Sequence, residues 1–174
     1  ALISLMTRAN GESWAGNYRL TADITLPAGT AQNPIGNSTD KFTGIFDGNG
    51  KTVSGVNLVD EATDSGTNAF IGFFGYVQGG EIRNLTLKGT VSTTGRRAGG
   101  FIGAINGSAK VENCTNHCSV EAFANAGGIV GFVSPSAGVT ISGCKNYGTI
   151  TGTFADSTGT GGIIGSTGSS GSMT

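Results

Sequence analysis

Four copies of one short phrase constrain this chain more than anything else in it: Gly72-Phe73-Phe74-Gly75, Gly100-Phe101-Ile102-Gly103, Gly128-Ile129-Val130-Gly131 and Gly162-Ile163-Ile164-Gly165. Their first glycines stand 28, 28 and 34 residues apart. A second phrase follows the first three at a nearly fixed distance, over Ile82 to Val91, Val111 to Val120 and Ile141 to Ile150. Self-similarity at this period means stacked units, each burying its apolar face against its neighbours. Such stacking sets the architecture and weakens the case for an enzyme.

Within the units the apolar runs are short, rich in Ile, Val and Phe, and bounded by Gly and Asn. Glycine supplies 32 of the 174 residues. Inside a helix each would cost about 1 kcal/mol relative to Ala. Short strands joined by glycine corners fit far better. With one unit per coil and strands about 4.8 Å apart, the chain makes a rod roughly 30 Å long. The predicted fold is all-β, a right-handed parallel β-helix (solenoid) of short coils with an N-terminal helical cap. A propeller is the lesser alternative, because its blades run about 40 to 50 residues.

The cap is read from residues 1 to 9, where Leu2, Leu5, Met6 and Ala9 follow helical spacing and Asn10-Gly11 supplies a stop. Tyr18, Leu20, Ala22, Ile24 and Leu26 alternate with polar residues, the period of a strand with one buried face. Asp47-Gly48-Asn49-Gly50 carries the strongest turn signal. Residues 60 to 68 read as a solvated loop. The organisation is one solenoid domain: 1–68 the cap and leader coils, 69–165 the repeats, and 166–174 a Gly/Ser/Thr-rich tail expected to be a linker or frayed end.

Composition excludes several classes. Hydrophobic residues make up 37%, enough for a core, so this is no disordered linker. The formal net charge is −1, which draws the chain to neither nucleic acid nor an anionic membrane. Arg96-Arg97 is the only adjacent basic pair and is expected to be solvated. No apolar run approaches the roughly 20 residues of a membrane span. The chain opens at Ala1 without a signal peptide, which reads as a mature product or an excised piece. Asn37, Asn84, Asn106 and Asn113 head glycosylation sequons, which chance supplies readily in this composition.

At its repeated phrases the chain resembles the GLUG-motif family, named for a Gly-Leu-apolar-Gly repeat. The likeness extends to Trp14 to Leu26, Asn33-Pro34-Ile35-Gly36 and Phe42 to Val53, which look like the leader that precedes such repeats. Phe or Ile stands here where the family often has Leu, a swap of similar volume. Such repeats occur in secreted and surface-anchored bacterial proteins, including adhesin-like chains and non-catalytic parts of IgA-specific metallopeptidases. The resemblance implies an extracellular β-helical module and brings no catalytic residues with it.

Cys114, His117, Cys118 and Cys144 form the one cluster suggestive of zinc. The repeat alignment argues otherwise. Cys114 and Cys144 take the slot of Leu85, Cys118 that of Gly89 and Gly148, and His117 that of the surface positions Lys88 and Tyr147. The expectation is two stacked core thiols, reduced and without metal, with a disulfide or zinc as alternatives. Glycosidases need paired carboxyls, but Glu81, Glu112 and Glu121 do not share one column. Asp60, Glu61 and Asp64 cluster in a loop, where a calcium site is the lesser reading. Neither His-Glu-x-x-His nor Gly-x-Ser-x-Gly occurs. A threonine array of the kind that binds ice is broken in the middle repeat.

These readings converge on a non-enzymatic, extracellular or cell-surface module for adhesion, display or spacing. No catalytic, cofactor or metal residues are assigned. The expected partner is an extracellular ligand, either a glycan or a host or matrix protein, with neither nucleic acid nor membrane insertion. The alternatives are a carbohydrate-active β-helix, with Trp14 and Tyr147 as sugar-stacking candidates, and a self-assembling subunit joined end to end through its C-terminal coil.

Overall fold

Each unit of the repeat folds as one coil, because its glycines allow sharp corners and its β-branched runs prefer a pleated, half-buried surface. In a computed structural model, residues 2, 6, 14–29, 31–60, 70–153, 159–168 and 172–173 are described. They form a parallel β-solenoid of about four turns. The strands make three faces. The broad face is a 10-stranded sheet running through Asn17–Arg19, Ile45–Asp60, Glu81–Thr93, Ala109–Glu112 with Thr115–Ala122, and Gly138–Ser142. A 4-stranded second face holds Phe70–Ile71, Arg97–Gly99, Asn125–Gly127 and Gly159–Gly161. A 4-stranded third face holds Phe74–Val77, Ile102–Ile105, Val130–Val133 and Ile164–Thr167.

The repeated phrase is the corner between the second and third faces. Phe74, Ile102, Val130 and Ile164 stack in register, the first three fully buried and Ile164 half-buried. The glycine that ends each phrase is required by close approach. A Cβ at Gly103 would stand 2.7 Å from the Gly75 carbonyl oxygen and 2.6 Å from the Phe70 carbonyl carbon. At Gly131 the same atom would lie 2.8 Å from the Gly103 oxygen and 2.7 Å from Ala98 backbone. Backbone presses from two sides, so the corners stack only without side chains.

The core continues the columns around the coil. Phe46, Ile82 and Val111 stack on the broad face, followed by half-buried Ile141. Aromatic rings fill the first coils: Phe42 and Phe74 centroids are 4.9 Å apart, and Phe46 meets Phe74 edge-on at 5.3 Å. Farther along, the column of Val53 and Leu87 continues as Asn116, which is fully buried. Its amide replaces apolar packing by hydrogen bonds. Asn116 Nδ2 donates to the Cys118 carbonyl at 3.0 Å and to Asn146 Oδ1 at 2.8 Å, while Cys118 N donates to Asn116 Oδ1 at 3.0 Å. Asn146 closes the same loop on Gly148.

Three expectations need correction. The N-terminal helical cap is not supported: residues 1 to 9 lie outside the described residues except Leu2 and Met6, both buried in the core. Trp14, also buried, instead begins the ladder by bridging to Phe42. The single strand expected over residues 18 to 26 is two, Asn17–Arg19 and Ile24–Thr25, and Ala22 is exposed. The break matches a corner in the next coil, where Asp47 to Lys51 shifts register against Arg83 and Leu85. The Asp47–Gly50 turn is thus a bend within one long face, with Asn49 in the left-handed region at φ 53°. In the segment read as a tail, Ser172–Met173 pairs in parallel with Gly138–Val139.

Candidate functional site

The side chains flanking the glycine corners face one another across a groove between the second and third faces. One wall is the column Phe70, Arg97, Asn125 and Gly159; the other is Tyr76, Ala104, Phe132 and Ser166. Phe70, Arg97, Asn125, Tyr76 and Phe132 are part-exposed, whereas Ala104 and Gly159 are covered, and Ala98 and Ile105 turn in by strand alternation. Ala104 is small, which leaves room between the Tyr76 and Phe132 rings. Arg97 fills it. Its guanidinium carbon lies 4.0 Å from the Phe132 centroid and 5.1 Å from that of Phe70. Phe70 in turn meets Tyr76 edge-on at 5.1 Å. Lys41 adds a second cation, 5.7 Å above the Tyr76 ring.

The electrostatics of this groove are unusual. Burial, and next the adjacent Arg96 charge, hold the Arg97 guanidinium below the ordinary arginine range, with Tyr76 acting in the opposite sense. Among the described residues no carboxylate figures in the groups that act on it. Its buried Nε has no hydrogen-bond partner. The expectation that Arg96 and Arg97 are both solvated is therefore half wrong. Arg96 is exposed, whereas Arg97 points into the groove because strand alternation gives neighbours opposite sides.

The carboxylates weighed from sequence serve a different purpose. Glu81 pairs across the ladder with Lys110, and Arg83 with Glu112, giving an alternating square of charge. Arg83 bonds Glu81 and lies 3.4 Å from Asp47, and Lys110 lies 2.8 Å from Glu112. The Lys110 hydrogen bond holds the Glu112 carboxyl below the usual range. Glu121 lies opposite Ser92 and Thr151, so these three acids face cations or hydroxyls, not each other. Beside this square the left-handed Asn84 and Asn113 donate amide hydrogen bonds to Asp47 and Asn84 in turn. Of the acidic loop, Glu61 and Asp64 lie outside the described residues. Thr52, Thr86 and Thr115 stack, but Lys145 interrupts that column.

Cys114 and Cys144 sit on neighbouring coils, one residue before the paired Thr115 and Lys145. Both are free thiols with backbone acceptors: Cys114 Sγ lies 3.4 Å from the Glu112 carbonyl and Cys144 Sγ 3.5 Å from that of Ser142. The hydrogen bond between the two thiols drives them apart, Cys114 upward and Cys144 down to about 7. Cys118 is buried opposite Gly89, and burial pushes its thiol up to about 12. His117 pairs with Lys88 on the outer surface and stacks on the exposed Tyr147 ring at 5.1 Å. Among the described residues no three His, Cys, Asp or Glu side chains come together to hold a metal. Trp14, the other sugar-stacking candidate, is buried.

Against this geometry the comparisons with known proteins are sparse. Among the described residues no helix is long and apolar enough to cross a membrane. No protein-family profile matches the chain, and no solved structure matches it. Two relatives do. The chain is 33% identical over 127 residues to the Halomucin of Haloquadratum walsbyi, a match covering 66% of this chain and 1% of that protein. It is 33% identical over 97 residues to a protein of Evansella cellulosilytica described as a Gly-rich membrane protein, covering 52% of this chain and 10% of the other. The chain thus resembles small parts of much longer proteins.

Proposed function

We propose that the chain is a non-enzymatic β-helical segment of an extracellular or cell-surface protein, a GLUG-type module that displays or spaces a binding surface in the manner of an adhesin. One observation carries this reading: the parallel ladder runs from Asn17–Arg19 through to Ser172–Met173, coil upon coil, on the broad face. Such a ladder gains length simply by adding units, as a stalk or display rod must. The relatives' names, a halomucin and a membrane protein, support a surface or membrane-associated setting. The coil is taken as right-handed, the hand that strand twist favours for parallel connections. Its ligand is a glycan or a host or matrix protein.

An antibody against the chain should label intact producing cells, and external protease should remove the label. Labelling that requires permeabilised cells would overturn the surface reading. For the non-enzymatic part, the purified chain is incubated with polysaccharides and peptides and the products are analysed. No cleavage is expected. Products that vanish on Glu81→Gln, Glu112→Gln or Glu121→Gln would make it an enzyme.

A further inference from the structure

We propose that the groove around Arg97 binds an acidic sugar, a pyranose carrying a carboxylate or sulfate group. The proposal stands on the groove alone and not on the display reading. A guanidinium drawn partly out of water normally keeps an acid beside it, because desolvating a charge without a partner is unfavourable. Among the described residues no acidic side chain acts on Arg97, and its Nε is left without a hydrogen-bond partner. What surrounds it is aromatic: Phe132 beneath, Phe70 across, Tyr76 beyond Ala104. Stacking holds the planar fork in one orientation, which suits bidentate capture of a carboxylate or sulfate.

The rest of the groove selects for more than a small anion. Phe70, Tyr76 and Phe132 are each part-exposed, so apolar ring surface borders the cation on both walls. A pyranose presents an apolar C–H face next to its charged substituent, and the groove offers the complement of both. Lys41 over Tyr76 extends the positive charge along the groove, which favours a polymer with charge on successive rings. Sequence reading passes over this site because its parts, Lys41, then Phe70 with Tyr76, then Arg97, then Phe132, come from four successive coils.

The test is a titration of isotope-labelled chain with four probes: a galacturonic-acid oligomer, a chondroitin sulfate oligomer, a neutral galactose oligomer and poly-L-glutamate. Binding is read by calorimetry and by the Arg97 Nε–H resonance. At least one of the two acidic sugars is expected to shift that resonance and to bind more weakly as salt rises. Which one binds tells carboxylated from sulfated glycan. Arg97→Gln should weaken that binding at least about tenfold, Arg97→Lys should lose part of it, and Arg96→Gln should change it about twofold or less. The amide spectrum of each variant reports folding, and the wild-type resonance needs no variant at all. The proposal is overturned if neither acidic sugar moves the Arg97 signal, if the neutral oligomer or poly-L-glutamate binds equally well, or if folded Arg97→Gln binds like wild type.

Discussion

The first coils and the later ones fill the same ladder positions in different ways. Around Phe42, Phe46, Phe73 and Phe74 the interior is aromatic, and Leu87 fills the column inside the broad face. Two coils on from those rings, the matching positions are Val111, Ile129 and Val130, and Asn116 stands one coil on from Leu87. Ring packing is strong but indifferent to small displacements along the strand. An amide that grips the backbone two residues ahead and the amide of the next coil fixes its register directly. The backbone outline is set by the glycine corners, so the filling is free to change from volume to hydrogen bonds.

The largest expected effect tests the aromatic half. Phe74→Ala should cost about 3 to 5 kcal/mol in denaturant unfolding, since it empties a fully buried ring site that three other rings touch. Ile102→Ala, the next member of the column, should cost about 2 to 5 kcal/mol. If Phe74→Ala proves the milder of the two, the first coils do not depend on aromatic packing as claimed.

Next comes the amide ladder. Asn116→Leu restores the side chain of the preceding coil but takes the side-chain partner from the Cys118 N–H and C=O, while the Asn146 oxygen keeps only the Gly148 N–H. Each buried group left unpaired costs about 1 to 3 kcal/mol, set against what Leu gains by burial. The reciprocal Leu87→Asn places an amide where no Asn stands in the preceding coil at Val53, and should also destabilise. In a double-mutant cycle, Asn116→Leu with Asn146→Leu should cost less than the sum of the singles, because the bond between them is lost only once. Strict additivity would show that the two amides do not form a ladder.

Much of this architecture was legible in the spacing of the phrases. The spacings of 28, 28 and 34 residues are the register shifts of the Phe74, Ile102, Val130 and Ile164 column itself. The same alignment set Cys114 beside Cys144 and put His117 outside with Lys88 and Tyr147. It could not see the groove. Phe70 pairs with Arg97, although Phe70 lies two residues before its phrase and Arg97 three. The first coil lacks one of the paired glycines, and that single residue hides the column. Asn116 was passed over for another reason: an Asn amid polar neighbours reads as surface, and only the ladder shows that it replaces a leucine.

A smaller effect concerns the outer corner ladder, Asp47 to Asn84 to Asn113, which ends at Gly143. The Asn84 amide, with the Asn49 N–H and Arg83, holds the Asp47 carboxyl below its usual range against the opposing effect of burial. Its folded pKa is thus lower than its unfolded one, near about 3.9. The stabilisation is fully present above that value and fades as pH falls through it toward the folded pKa. The melting temperature should hold steady on acidification to about pH 4 and drop below it. Asp47→Asn should make the drop shallower; an unchanged acid profile would remove Asp47 from the corner's support.

The smallest effect leaves the fold intact and reads the later coils at one atom. Cys144 is half-buried, and the hydrogen bond from Cys114 brings its thiol down to about 7, whereas Cys114 is pushed up and fully buried. The thiolate is the reactive form. Alkylation by iodoacetamide, followed by peptide mass spectrometry, should therefore modify Cys144 with a midpoint near neutral pH. Cys114 and Cys118 should stay unmodified in the folded chain, since both are buried and both thiols titrate high. Cys114→Ala removes the donor, so the Cys144 midpoint should move up toward the ordinary thiol range. A midpoint that stays put in that variant would mean that the two thiols do not share a hydrogen bond. Equal modification of all three cysteines would mean that the later coils open more readily than a register fixed by Asn116 allows.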